Sequence, residues 1–156
     1  MKLATLFFLG GILALTSCSR EDDSRDGTRV ESITFGHFYG ECAGDGCVET
    51  YRLTGSNLYK DVADNYPGAG PYEFVLLSNE AYISALPVLT ELPQELLNEE
   101  SEEIGCPDCA DQGGIFIEYV VNEVTYQWRI DQATNAIPEY LVPYVELVNG
   151  KIAEIG

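Results

Sequence analysis

Between Ile115 and Ile130 two apolar-rich runs each place an apolar residue at every second position, and in the second run the residues between are polar. Ile115, Ile117, Tyr119 and Val121 fall on one side of an extended segment. Val124, Tyr126, Trp128 and Ile130 do the same, with Thr125, Gln127 and Arg129 on the other side. Successive side chains of a strand point to opposite faces, so a period of two predicts strands with one buried face. Asn122-Glu123 separates the two runs, and Asn tolerates the positive φ that a two-residue hairpin turn needs. The segment is therefore a hairpin whose apolar face requires a cover.

Further strands follow from the same period. Ile33, Phe35 and His37 share one face, with Ser32 and Thr34 opposite. Val48 to Leu53 reads as a second strand and Leu58 to Val62 as a third, with the turn Thr54-Gly55-Ser56-Asn57 between them. Together these predict an antiparallel meander. Asp64 to Pro71 carries two prolines and two glycines and is a loop. Tyr72 to Leu77 is a fourth strand.

The cover comes from helices. Residues 79–86 form a short helix started by Ser78 or Asn79, and Pro87 and Pro93 break residues 87–98 into a second short piece. Asn98 to Glu103 is an exposed loop. Leu141, Tyr144, Val145, Val148 and Ile152 recur at helical spacing, with Pro143 in the first turn where its missing N–H does no harm. The expectation is an α+β domain: a mainly antiparallel sheet of about six strands with two or three helices packed on one face.

The chain has 156 residues, which suggests one globular domain over residues 30–156. Its 26 Asp and Glu against 8 Lys and Arg give a net charge of −18. Such a field repels nucleic-acid phosphate, so no nucleic-acid partner is expected, and it favours a basic partner.

The N-terminus has a different character. Lys2 precedes an uncharged apolar run, Leu3 to Leu15. At about 13 residues the run is too short for a bilayer core, which needs roughly 20, and its order is that of a secretory signal. Leu15-Thr16-Ser17-Cys18 resembles the lipobox of bacterial lipoproteins. That resemblance implies a signal peptide over residues 1–17, cleavage before Cys18, and a Cys18 that carries a diacylglyceryl group and an N-acyl chain such as palmitate. One acyl chain anchors only marginally, and three hold effectively permanently.

Residues 18–29 are polar and acidic and read as a disordered tether. Acidic residues just after the lipidated Cys resemble the surface-export signal of Bacteroidota lipoproteins, although Arg20 interrupts the run. The expected location is the cell envelope, anchored to the outer membrane and displayed at the surface, with the membrane and an envelope protein as partners.

Setting Cys18 aside, four cysteines remain. Cys42 and Cys47 are spaced C-x₄-C, and Cys106 and Cys109 are spaced C-x₂-C. In an oxidising compartment an even count reads as disulfides, with three pairings open. Two short-spaced pairs also suit a structural Cys₄ zinc site, although thiolates oxidise in that compartment. Cys106-Pro107-Asp108-Cys109 is in addition a redox-type motif for a thiol–disulfide oxidoreductase. Such a dithiol needs a lowered thiol pKa, and Asp108 and Asp111 act in the opposite direction. Phe35 to Cys42 with Cys47, and Cys106 to Gly114, look like segments of small uncharacterised Bacteroidota lipoproteins. That group has no assigned activity, so this resemblance implies no chemistry.

The remaining candidates are weak in pattern. His37 is the single histidine, so a nucleophile–His arrangement would have to use it. Asp45 with Glu49, and Asp61, Asp64 and Asn65, offer hard oxygen ligands but no EF-hand spacing. Tyr39, Tyr66, Tyr72 and Trp128 could stack a sugar, although Trp128 fits the core better. No hydrolase elbow, zinc-protease helix or phosphate loop is present in the sequence. The reading leans away from an enzyme, with no catalytic residues, toward a binding or structural module.

Overall fold

The computed structural model describes residues 29–42, 46–67 and 70–156. Cys18, the signal and most of the tether lie outside the described residues, as does Asp45. Seven strands form one sheet: β1 (Val30–Phe38), β2 (Val48–Thr54), β3 (Leu58–Asp61), β4 (Phe74–Leu76), β5 (Glu103–Ile104), β6 (Gly114–Val121) and β7 (Val124–Asp131). Their spatial order is β4-β3-β2-β1-β6-β7-β5. All neighbours are antiparallel except β5, which runs parallel to β7. Among the described residues two α-helices, α1 (Asn79–Thr90) and α2 (Val142–Ile155), complete the α+β domain, with short 3-10 helices at Gln94–Asn98, inside the expected second helical piece, and at Glu139–Leu141.

The hairpin turns where the alternation breaks. Asn122 and Glu123 both have positive φ, at 50° and 65°, the pair of left-handed residues that matches the twist of two tightly joined strands. Cross-strand register then aligns Tyr119 with Tyr126, Ile117 with Trp128 and Ile115 with Ile130. This apolar face continues through Phe35 and Ile33 on β1 and Tyr51 and Leu53 on β2.

Both helices pack on that face. Ala85 and Val88 of α1, and Tyr144, Val145, Val148 and Ile152 of α2, join the strand residues in one core. Tyr144 is almost wholly buried, and its hydroxyl donates to the Val88 carbonyl at 2.8 Å, pinning α2 to α1. Burial of a phenol in such a site is tolerable because its one polar group is bonded.

The other face is not bare. Phe38 and Phe116 are buried there, under the loop that joins β3 to β4. Tyr66 packs on Phe38 with ring centroids 4.9 Å apart, and Arg129 donates to the Pro67 carbonyl at 3.1 Å. Asp61 sets the loop's ends by accepting from the amides of Ala63 and Glu73. Beside it, Arg52 lies over Phe74 and Tyr72, at 4.3 and 5.4 Å from the ring centroids, and bonds Thr34 and Glu118.

Three local expectations change. The helix at residue 79 runs on through Pro87 to Thr90. Proline there removes the bond that an amide would give to the Ile83 carbonyl and crowds that carbonyl with its ring. Burial of Ala85 and Val88 on either side of it holds the helix together. Ser78 is the cap, its hydroxyl accepting from the Ala81 amide. The fourth strand is three residues, Phe74–Leu76, and just before it the Glu73 amide bonds the Asp61 side chain. The acidic loop ends in a strand, β5, where Ile104 pairs with Ile130 and is buried. Among the described residues no helix is long and apolar enough to cross a membrane.

Candidate functional site

Four strand ends meet at one end of the sheet. β1 finishes at Phe38, β2 starts at Val48, β6 starts at Gly114 and β7 finishes at Asp131. The two cysteine loops are both here. Cys42 is bonded to Cys47 and Cys106 to Cys109, each pair with a Cα separation of 5.5 Å. Each bridge therefore closes its own loop, and neither ties one loop to the other. The pairing of Phe38 with Val48, and the Tyr39 amide bonded to the Cys47 carbonyl, bring Cys42 and Cys47 together across a tight connection.

The loops nevertheless touch. Gly40 lies against the Asp108 side chain, and Gly113 against the Phe38 carbonyl and the Tyr39 ring. No side chain fits at either glycine without displacing its neighbour.

The Cys106–Gly113 loop is built by side-chain acceptors. Asp131 is buried and takes three donors: the amides of Cys106 and Ala133 and the Gln112 carboxamide, at 2.8 to 3.2 Å. Asp108, with φ of 62°, accepts from the Gly113 amide at 3.1 Å and gives its own amide to the Gly113 carbonyl. Gln112 also bonds the Cys106 carbonyl and the Ala110 amide. Cys106 and Cys109 are themselves exposed.

His37 is brought to this end of the sheet on the helix-covered face. Its Nε2 lies 3.2 Å from both Glu49 Oε2 and the Gly46 carbonyl, and its ring packs on Tyr39. A single nitrogen thus links β2 to the Cys42–Cys47 loop. Glu49 also accepts from Lys60 at 3.1 Å and from the Tyr51 hydroxyl at 3.3 Å. Burial, and then the Glu49 charge, push the Tyr51 pKa up. Lys60 loses some hydration, which opposes its charge, but the Glu49 hydrogen bond and the fields of Tyr51 and Glu49 outweigh this and raise its pKa. Burial and then the Asp108 charge raise that of Tyr66.

All four sulfurs are used in bridges, so no thiolate is left for a Cys₄ zinc site. Among the described residues no three His, Cys, Asp or Glu side chains are grouped to hold a metal. His37 Nε2 faces the Glu49 carboxylate and the Gly46 carbonyl. Asp61 serves backbone amides. The four proposed stacking aromatics are dispersed: Tyr39 is on His37, Tyr66 on Phe38, Tyr72 on Phe74, and Trp128 is stacked on Tyr126 under the helices.

Sequence reasoning missed Asp131 and Gln112, the two residues that brace the C-x₂-C loop. A signal was present. An Asp that ends an alternating strand, followed by Gln132-Ala133, is the place for a side chain that caps its own turn. Comparison with family models, curated proteins and solved structures found no match for this chain.

Proposed function

We propose that this chain is a lipid-anchored cell-envelope lipoprotein whose domain is a non-enzymatic binding or structural module. The observation that carries this reading is the pair of short-loop disulfides in exposed loops. Such bridges persist in oxidising compartments and are rare in the cytosol. Export is what the Leu15-Thr16-Ser17-Cys18 boundary independently implies. Cys18 would carry the acyl chains, residues 18–29 would act as tether, and the domain would begin at Val30 on the outer membrane, displayed at the cell surface. The disulfides are structural staples in this reading, and the acidic surface selects basic partners.

Metabolic labelling with a clickable fatty acid, followed by membrane fractionation, tests the anchor. Wild type should take up label and sediment with membranes, and Cys18→Ala should do neither. An unlabelled, unprocessed wild type, or a Cys18→Ala protein that fractionates unchanged, overturns the reading.

A second reading, a thiol–disulfide oxidoreductase, rests on the exposure of both Cys106 and Cys109. Cys106 would attack and Cys109 resolve. Redox thiols are commonly activated by a helix N-terminus or a cation, and Cys106 starts a loop that carries Asp108 and Asp111. A Cys106–Cys109 bridge that resists dithiothreitol in the folded domain would remove this reading. Ready, reversible reduction coupled to turnover of a disulfide substrate would favour it over the first.

A further inference from the structure

One edge of the sheet is forked. β5 pairs with β7 only at Glu103–Arg129 and Ile104–Ile130. The Arg129 amide donates to the Glu102 carbonyl at 2.7 Å, so Arg129 presents its backbone to the outer edge. Outward groups alternate along a strand, which places the N–H and C=O of Gln127 and Thr125 on the same edge. Neither has a backbone partner on that side among the described residues. The chain before β5 diverges here and leaves a wedge of about 150 Å³ between Glu99–Glu102 and Thr125–Trp128. A second cleft of similar size follows at Glu102, Glu103, Gln127 and Arg129.

An open edge is a template for another strand, and proteins commonly blunt such edges with lysine, proline or a bulge or cover them with a loop; the Glu99–Ser101 segment flanks this edge across the wedge without bonding Thr125 or Gln127. Thr125 and Gln127 supply neither lysine, proline nor a bulge. The flanking charges are negative. Glu100 and Glu102 are exposed and have no cationic partner among the described residues, while Glu103 has only a long contact to Arg129 at 3.9 Å. We propose that this edge takes up an extended basic polypeptide as an added strand. Thr125 and Gln127 would give the main-chain bonds, and Glu100 and Glu102 would select lysine or arginine at alternate positions. This names the partner class of the binding module and rests on that reading. The peptide assay below does not depend on lipidation, so its failure and that of the Cys18 test are distinguishable. A second copy of this acidic chain would set like charges against each other.

The test uses the full chain in detergent and a labelled peptide of alternating lysine and threonine. Fluorescence anisotropy should show saturable binding that weakens with salt. Glutamate in place of lysine should abolish it. Methylating the peptide's backbone amides at alternate positions keeps its charge but blocks pairing, and should weaken binding at least tenfold in one of the two registers. Glu100→Lys/Glu102→Lys, on exposed positions where folding is not at stake, should also lose at least tenfold. Amide exchange at Thr125 and Gln127 should slow when peptide is bound. Equal affinity for both methylated registers and the parent peptide, or no protection at these two amides, overturns the proposal. Protection that rises with protein concentration in the absence of peptide would overturn it in favour of self-association.

Discussion

The backbone amide of Cys106 donates to Asp131 Oδ2 at 3.0 Å, from a loop that is exposed to a carboxylate that is not. The same carboxylate holds Gln112 and Ala133. Truncating it strands three donors near the sheet end, and each unsatisfied buried group costs about 1–3 kcal/mol, less where water can enter. Asp131→Ala should therefore lose about 2–3 kcal/mol in urea denaturation, with an unchanged slope. Asp131→Asn keeps one acceptor oxygen and should lose less. A loss under about 0.5 kcal/mol for the alanine variant would mean that the loop does not depend on this acceptor.

The disulfides should matter less than their number suggests. Each closes a short loop within one connection, and chain-entropy reasoning gives about 2 kcal/mol for such a loop. Replacing Cys42 and Cys47 together by serine, or Cys106 and Cys109 together, should leave a folded domain. The melting temperature should fall by several degrees, at roughly 4 °C per kcal/mol for a domain of this size. Loss of folding in either double variant would show that a bridge, not the sheet and its helices, carries the fold.

How much of this was legible in the sequence depends on range. The hairpin and α2 were readable because a period is a local property: Val124 to Ile130 alternates, and Tyr144, Val145, Val148 and Ile152 recur at helical spacing and are all buried. β5 was not readable, because two residues carry no period and Ile104 is a strand residue only by virtue of Ile130 beside it. Pro87 misled for the same reason, since its local preference yields to the packing of Ala85 and Val88. At the cysteine loops the count and compartment suggested bridges, but pairing is a matter of distance. Asp131, which braces the Cys106 loop, lies 22 residues beyond Cys109, outside any local pattern.

Gly113 offers a sharp test of contact between the two loops. It sits at φ 71°, and a methyl group there would run into the Phe38 carbonyl and the Tyr39 ring. Positive φ alone costs a non-glycine residue about 1–2 kcal/mol, and backbone displacement adds to it. Gly113→Ala should lose about 2–4 kcal/mol. Gly55→Ala, in a turn with open space around it, should stay within about 0.5 kcal/mol of wild type. Equal stability of the two variants would contradict the close packing of the loops.

Alkaline pH should unfold the domain through its tyrosines. Burial raises the pKa of Tyr51, Tyr66, Tyr119, Tyr140 and Tyr144 in the fold, with nearby carboxylates adding to the effect at all but Tyr144. An unfolded tyrosine loses its proton near pH 10. Above that pH the unfolded state holds fewer protons than the native one, so stability is full below about pH 10 and declines as pH rises toward the folded pKa values. Lys60, also raised, acts in the same direction. The four paired cysteines do not titrate and contribute nothing to this slope. Tyr144→Phe removes the group whose ionisation is least tolerable, along with its bond to Val88. It should cost about 1 kcal/mol at pH 7 and make the decline above pH 10 shallower, by up to about 1.4 kcal/mol per pH unit. Denaturation midpoints measured from pH 7 to 11 check both effects. A variant curve parallel to wild type throughout would show that Tyr144 ionises as readily in the fold as out of it.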